Sequence, residues 1–223
     1  KLYLVVFPKI KTFNKVTQMK LLNKTIVLLL TLTLLMPTLV SAKGGGRKGV
    51  NKRQAVTNVL PASQADTLLW MREEEKLARD VYLALADEWK QPIFENIAAS
   101  EQKHMDAILK KINSFGLTDP AKSSEGDFTD PDIQALYTQL VSQGEEGYIA
   151  ALNVGLTIED MDIADLINAI DETDNIGLKT TYQSLLEGSK NHLRAFNRLM
   201  LKQGITYEPV YISQKLFDAI INF

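Results

Sequence analysis

The chain holds two histidines, His104 and His192, and both fall at helical spacing from polar partners. Glu101-Gln-Lys-His104 is a Glu-x-x-His. That spacing sets a carboxylate and an imidazole on adjacent turns of one helical face, within reach of a single cation. Glu159 and Asp162 repeat the three-residue step, as do Ser189 and His192. Carboxylate and neutral imidazole together suit iron and manganese and also accept zinc. With no cysteine in the chain, thiolate metal sites, disulfides and thiol catalysis are excluded. Ser/His/Asp hydrolysis needs a nucleophile on a strained turn, whereas Ser189 falls within a helix. No Gly-rich phosphate loop is present. The acidic run from Glu159 to Asp174 lacks the register of a calcium loop, and it reads as a solvated acidic turn.

The elements that must carry these residues are helices. From Ala62 onward the apolar residues recur at three- and four-residue steps, with no period-2 alternation. The first helix is expected over Ser63–Trp89 with Ser63 as N-cap, and the second from Pro92 to about Ser114. A connection over 117–144 carries a short helix near 131–142. A third long helix follows over Glu145–Ile170, bent near Asp162, then a fourth over Ile176–Gln203. A Ser213-capped segment closes the chain. The seams run through Met71, Glu75 and Ala78 on the first helix, Ile97, Glu101, His104 and Ile108 on the second, Gly155, Glu159, Asp162 and Leu166 on the third, and Leu185, Ser189, His192 and Phe196 on the fourth. Each seam is apolar at both ends and polar in the middle.

The interruptions line up. In an antiparallel hairpin with a tight turn, residues equidistant from the turn face one another. The midpoint of Glu75 and His104 falls between Trp89 and Lys90. Those of Glu159 with His192, and of Asp162 with Ser189, fall between Asn175 and Ile176. Surface residues on misrotated helices, or core polar groups with ordinary hydrogen bonds, are the plain alternative. Against it, burying Glu75, Glu101, Glu159 and Asp162 without cations would cost several kcal/mol per ion. Two divalent ions would balance four carboxylates and leave the imidazoles neutral. Tyr82, Tyr182 and Ser189 lie on the seams as core residues or as hydrogen-bonding partners of the ligands. Glu73 and Glu74 read as an exposed charged face.

Composition adds location. The 223 residues suit one domain with a proper core. Residues 1–42 and 43–60 contain basic residues and no acid, so all 27 acidic groups fall on residues 61–223. An acidic body is unsuited to duplex nucleic acid. From Met19, a basic n-region, an apolar stretch of about sixteen residues and Val40-Ser41-Ala42 make a secretory signal. The stretch is short of the ~20 residues of a bilayer span. Residues 1–18 are then a non-native upstream extension, 19–42 a signal peptide cleaved to leave Lys43, 43–60 a basic flexible tether, and 61–223 the folded domain. The expected location is extracytoplasmic, periplasmic or secreted, with no stable membrane insertion after cleavage.

These residues resemble the ferritin-like di-iron carboxylate superfamily, in which two helices each give a Glu and two give Glu-x-x-His. The stretches REEEKLARDVY, SEQKHMDA and GSKNHLRAF resemble, more narrowly, an uncharacterised prokaryotic family of ferritin-like proteins of unknown function. The resemblance covers residues 62–222. It implies an all-α, ferritin-like four-helix bundle with a long crossover between helices two and three, plus short accessory helices. It matches Glu75, Glu101, His104, Glu159 and His192 to ligand positions. Ser189 departs, standing where the pattern has Glu. Glu187, five residues from His192, is rotated roughly 140° away, so Asp162 is the better substitute. The implied cofactor is di-iron, with manganese or zinc as alternatives. The implied activity is that of a ferroxidase-like oxidoreductase, oxidising ferrous iron or working with O₂ or peroxide. A homodimer is compatible with the pattern. The alternative is a non-catalytic metal-binding, structural or interaction bundle.

Overall fold

The computed structural model describes residues 60–223. The expectations for the upstream extension, the signal peptide and nearly all of the tether lie outside the described residues. Leu60, the last residue of the expected tether, packs against the core. Among the described residues there are six helices and no extended strand. They are α1 (Ala62–Trp89), α2 (Pro92–Ser114), α3 (Pro131–Glu145), α4 (Tyr148–Glu172), α5 (Ile176–Lys202) and α6 (Gln214–Ile221). None of them is long and apolar enough to cross a membrane.

The boundaries follow local chemistry. Lys90 ends α1 in the left-handed region (φ 50°) and donates its N–H to the Ala86 carbonyl. Pro92, whose missing N–H costs nothing at a helix start, opens α2. Asp130, Asn175 and Ser213 cap α3, α5 and α6, accepting from the N–H groups of Asp132, Leu178 and Leu216. Two expected boundaries are corrected. Ser63 does not cap α1, which starts at Ala62 behind Pro61; the Ser63 carbonyl instead accepts from the Thr67 hydroxyl. The crossover helix continues to Glu145, and the third long helix begins at Tyr148. Gly144 looks like a stop in sequence, yet it lies within α3 for packing. A Cβ there would stand 2.4 Å from Leu85 Cδ2, and its carbonyl accepts from the Trp89 indole N–H at 3.0 Å.

The short α1–α2 and α4–α5 links make two hairpins, α1 packing along α2 and α4 along α5. The crossover helix α3 lies against α1 and α4, and α2 faces α5. The buried apolar side chains form two clusters. One gathers Leu68, Met71, Ile108, Leu166 and Leu185; the other gathers Ala78, Ile97, Ala98, Leu193 and Phe196. On α1, α2 and α5 the chain passes from one cluster to the other through Glu75, through Glu101 and His104, and through Ser189 and His192. A polar layer therefore lies between two apolar clusters, which still meet through Trp70 and Leu186.

Two segments cover faces that the sequence reading leaves to solvent. The crossover lies on α1, where Arg72 holds both oxygens of Asp119 at 2.9 Å. Glu73 accepts from the N–H groups of Thr129 and Asp130 at 2.7 and 2.8 Å. Lys76, fully buried, pairs with Asp80, donates to the Ser124 carbonyl at 2.8 Å and sits over the Phe128 ring. Glu73 is thus buried, and Glu74 is buried beside Asp162 and Asp165 of α4, against the expectation of an exposed charged face. The solvated reading of the acidic run on α4 is corrected likewise for Asp160 and Asp165, both buried, while Glu159 and Asp162 are buried as their place on the seam predicts. Asp160 accepts from the Tyr207 hydroxyl and from the N–H groups of Val210, Tyr211 and Ile212, tying the C-terminal segment to α4.

Candidate metal centre

The polar layer brings Glu75, Glu101, His104, Glu159 and His192 into two groups that share one residue. Glu75, Glu101 and His104 each offer a ligand atom within 4.8 Å of the others, and so do Glu101, Glu159 and His192. Glu101 is the hinge of the pattern. Its Oε2 lies 2.7 Å from His104 Nδ1, and its Oε1 lies 2.7 Å from His192 Nδ1. Each imidazole has a second carboxylate: Glu75 Oε2 is 3.2 Å from His104 Nδ1, and Glu159 Oε2 is 3.4 Å from His192 Nδ1. The two rings stack at 5.6 Å between centroids.

Secondary contacts orient this set. The Tyr82 hydroxyl donates to Glu159 Oε1 at 2.6 Å, which leaves Oε2 turned toward His192. His192 Nε2 meets the Ser100 hydroxyl at 2.9 Å. With Nε2–H donating to Ser100, the neutral ring keeps its Nδ1 lone pair for a ligand. Ser189 Oγ stands 2.5 Å from Asp162 Oδ2 and 3.0 Å from the Leu185 carbonyl oxygen. One hydroxyl proton serves one acceptor at a time. Both contacts are satisfied together when Asp162 is protonated and donates to Ser189 while Ser189 donates to Leu185.

Without a cation this layer is electrostatically frustrated. Burial opposes charging His104, but the adjoining Glu75 and Glu101 outweigh it and hold the ring up at about 12. His192 is held at about 10 against the same burial, by Glu159 and Glu101. Burial also opposes ionising Glu101, yet its contacts with the two imidazoles bring it down to about 2. Glu75 is pushed up to about 7, chiefly by burial. Burial raises Glu159 too, and burial with the charge of Glu75 raises Asp162 well above the carboxylate range. Only one of the four carboxylates is therefore comfortable as an anion beside two imidazolium rings.

The atoms fit a cation better than they fit one another. Glu101 Oε1 and His192 Nδ1 are 2.7 Å apart but not aligned as a hydrogen bond, and Glu75 Oε1 and Asp162 Oδ1 have no hydrogen-bond partner among the described residues. Buried polar atoms left in this way are costly, and carboxylate oxygens converging with an imidazole nitrogen are the donor set of a hard or borderline divalent metal.

Asp162 lies in the layer against Ser189 but outside both groups of three. Tyr82 touches the centre, whereas Tyr182 does not: burial alone raises its hydroxyl, and it packs in the apolar half with Leu178 and Leu185. Sequence reasoning missed Ser100, Gly188, Glu74 and Asp165. Gly188 leaves room for His104, because a Cβ there would stand 2.4 Å from His104 Nε2. A glycine three turns into a polar stretch carries no signal of that role.

Residues 64–223 match a family described as an uncharacterized protein domain (DUF2202). The uncharacterized protein MJ0754 of Methanocaldococcus jannaschii is 48% identical over 160 residues, which are 71% of this chain and 86% of that protein. The crystal structure of the hypothetical protein MJ0754 from Methanococcus jannaschii is similar with a TM-score of 0.72 at 42% identity, covering 81% of this chain and 98% of the other. The family match spans all the residues of the centre, from Glu75 to His192, and the chain belongs to the DUF2202 family.

Proposed function

We propose that the two hairpins form a ferritin-like four-helix bundle whose polar layer holds two metal ions, iron or iron with manganese, for oxidation of ferrous iron or related O₂- or peroxide-linked chemistry. The observation that carries this reading is Glu101, whose two oxygens face two imidazoles, each backed by its own carboxylate. Glu75, Glu101 and His104 would hold one ion, and Glu101, Glu159 and His192 the other. Iron held there supplies one-electron redox chemistry toward O₂ or peroxide. The protein's own part is to fix ligand rotamers through Tyr82 and Ser100, and to keep water out with apolar side chains above and below. Asp162, held by Ser189, adds a fourth carboxylate where the fourth helix lacks one. The signal-like sequence pattern of residues 19–42 is the ground for proposing an extracytoplasmic setting.

A second reading, a non-catalytic metal site, is favoured by Ser189, which brings no charge to a position where the ferritin-like pattern has Glu. Anaerobic Fe²⁺ titration of the purified domain separates the two. Two irons per chain, followed by an absorbance rise on adding O₂, are expected; one colourless ion with no O₂ response would overturn the redox reading.

Gly188→Ala tests the division into two groups. Replacing a helix-interior Gly by Ala ordinarily gains about 0.5–1 kcal/mol. Here the new methyl must push the His104 ring aside. The expected result is loss of the ion at Glu75–Glu101–His104 with the other retained, and a metal-free protein destabilised on balance, because displacing the ring breaks buried contacts with Glu75 and Glu101 that cost about 3–5 kcal/mol to lose. Loss of both ions, or of neither, in metal analysis would contradict this assignment.

A further inference from the structure

The two groups of three are alike in their ligands and unlike in what holds those ligands. Glu101 is common to both, so the difference lies in the outer pairs, Glu159 with His192 and Glu75 with His104. Glu159 and His192 are each fixed from behind. The Tyr82 hydroxyl donates to Glu159 Oε1 at 2.6 Å. Tyr82 is itself fully buried, its ring centroid 5.4 Å from that of Phe196, so the hydroxyl has a fixed origin. On the other side, His192 Nε2 meets the Ser100 hydroxyl of α2 at 2.9 Å. Both inward atoms of this pair, Glu159 Oε2 and His192 Nδ1, are therefore aimed before any ion arrives.

The other pair lacks both supports. Glu75 is as deeply buried as Glu159, yet its Oε1 has no hydrogen-bond partner among the described residues. His104 makes its contacts through Nδ1, to Glu75 at 3.2 Å and to Glu101 at 2.7 Å. Its Nε2 lies against the bare backbone of Gly188, where the facing helix offers no counterpart of the Ser100 hydroxyl. A carboxylate and a ring held at one end only must still be ordered when an ion binds, at a cost in rotamer entropy. The same freedom lets them turn away and release the ion.

We propose that the two positions are unequal. Glu101, Glu159 and His192 keep a resident ion, whereas Glu75, Glu101 and His104 take up and release theirs, as the binding place of an incoming ferrous ion. This ranking rests on the reading of these residues as a two-metal centre, and it makes Tyr82 and Ser100 positioning residues for one ion only. Removing the hydrogen-bonding partner of a metal ligand commonly lowers affinity about 10–100-fold. With such partners behind one pair and none behind the other, the two dissociation constants should differ by about tenfold or more.

Titration of the metal-free wild-type domain with Mn²⁺, with the free ion counted by EPR, should show two affinities in that ratio. Crystals soaked at a Mn²⁺ level between the two should give an anomalous peak between Glu159 and His192 before one between Glu75 and His104. Tyr82→Phe keeps the ring and drops the hydroxyl. That variant and Ser100→Ala should each weaken the tighter ion about tenfold and leave the looser one unchanged. Ser100→Thr, which keeps a hydroxyl, should restore the tighter ion. Equal affinities in the wild type, filling in the reverse order, or variants that loosen both ions alike overturn the proposal alone. Mn²⁺ at neither position overturns it together with the reading of the centre. The wild-type titration and map decide the ranking even where a variant folds poorly.

Discussion

Glu101→Ala should empty both halves of the centre at once, whereas His104→Ala or His192→Ala should each empty one. Glu101 alone belongs to both groups. Removing even a partner of a metal ligand commonly lowers affinity by about 10–100-fold, so losing a shared carboxylate should exceed that at both positions. The metal-free protein should suffer too. From spacing alone the four carboxylates are equivalent, and their mutual repulsion would make any one dispensable without metal. The geometry singles Glu101 out as the anion lying 2.7 Å from each of two imidazole nitrogens. Its removal leaves the stacked rings, 5.6 Å apart, without the charge they share. Breaking a buried pair in this way costs about 3–5 kcal/mol. Metal-loaded protein should lose more, because it also forfeits the linkage to bound metal. Metal analysis and thermal melts with and without chelator would check both parts. Retention of one ion at wild-type affinity would show that Glu101 is not shared, and equal destabilisation in the two states would assign it an ordinary packing role.

The second large effect is a reversal of pH dependence on loading with metal. In the metal-free protein Glu75 is raised to about 7, and Glu159 and Asp162 are raised by burial. A raised carboxyl contributes stability that is complete below its unfolded value, near 4.5, and lost as the pH rises through the folded one. The imidazoles, raised to about 12 and 10 from an unfolded 6.5, act in the same direction, losing their contribution from 6.5 upward. Glu101, lowered to about 2, has the opposite sign, but its contribution is already complete above its unfolded value. Metal-free stability should therefore fall steadily between about pH 5 and pH 9, with a drop in Tm on the order of 10 °C. Metal needs deprotonated ligands, so its affinity, and the stability it confers, should rise over the same range. Melts of chelator-treated and metal-loaded samples should diverge as the pH increases. Parallel curves would mean that these groups do not exchange protons for metal.

Much of the all-helical arrangement is legible in the sequence because tight turns fix register. The α1–α2 and α4–α5 links are so short that equal distance from the turn becomes equal height. Glu75 with His104, Glu159 with His192, and Asp162 with Ser189 accordingly meet where the spacing puts them. What the spacing misses is whatever distant segments bring. Glu73, Asp160 and their neighbours look solvated on a helical wheel, and they are buried because the crossover and the C-terminal segment lie over them. A covering loop has no period and so leaves no trace in the helix it covers. Tyr182 shows the converse error: it lies on the right face but in the apolar half, away from the polar layer. Ser100 and Gly188 were invisible because small residues gain their roles from what approaches them.

The separation of the core into two apolar clusters bears on how the domain comes apart. In an unbroken core, packing alone couples one end of each helix to the other. Here, apart from Trp70 and Leu186, which touch both clusters, that coupling must cross a layer of acids and imidazoles that repel or attract according to protonation and ion content. With the layer neutralised, the two halves melt as a single cooperative unit. With it charged, the two halves should couple less strongly, and amide protons at the two ends of α1 should exchange at more widely different rates. The ions of such a centre would then be mechanical couplers as much as reagents, setting how closely the molecule keeps to one folding unit.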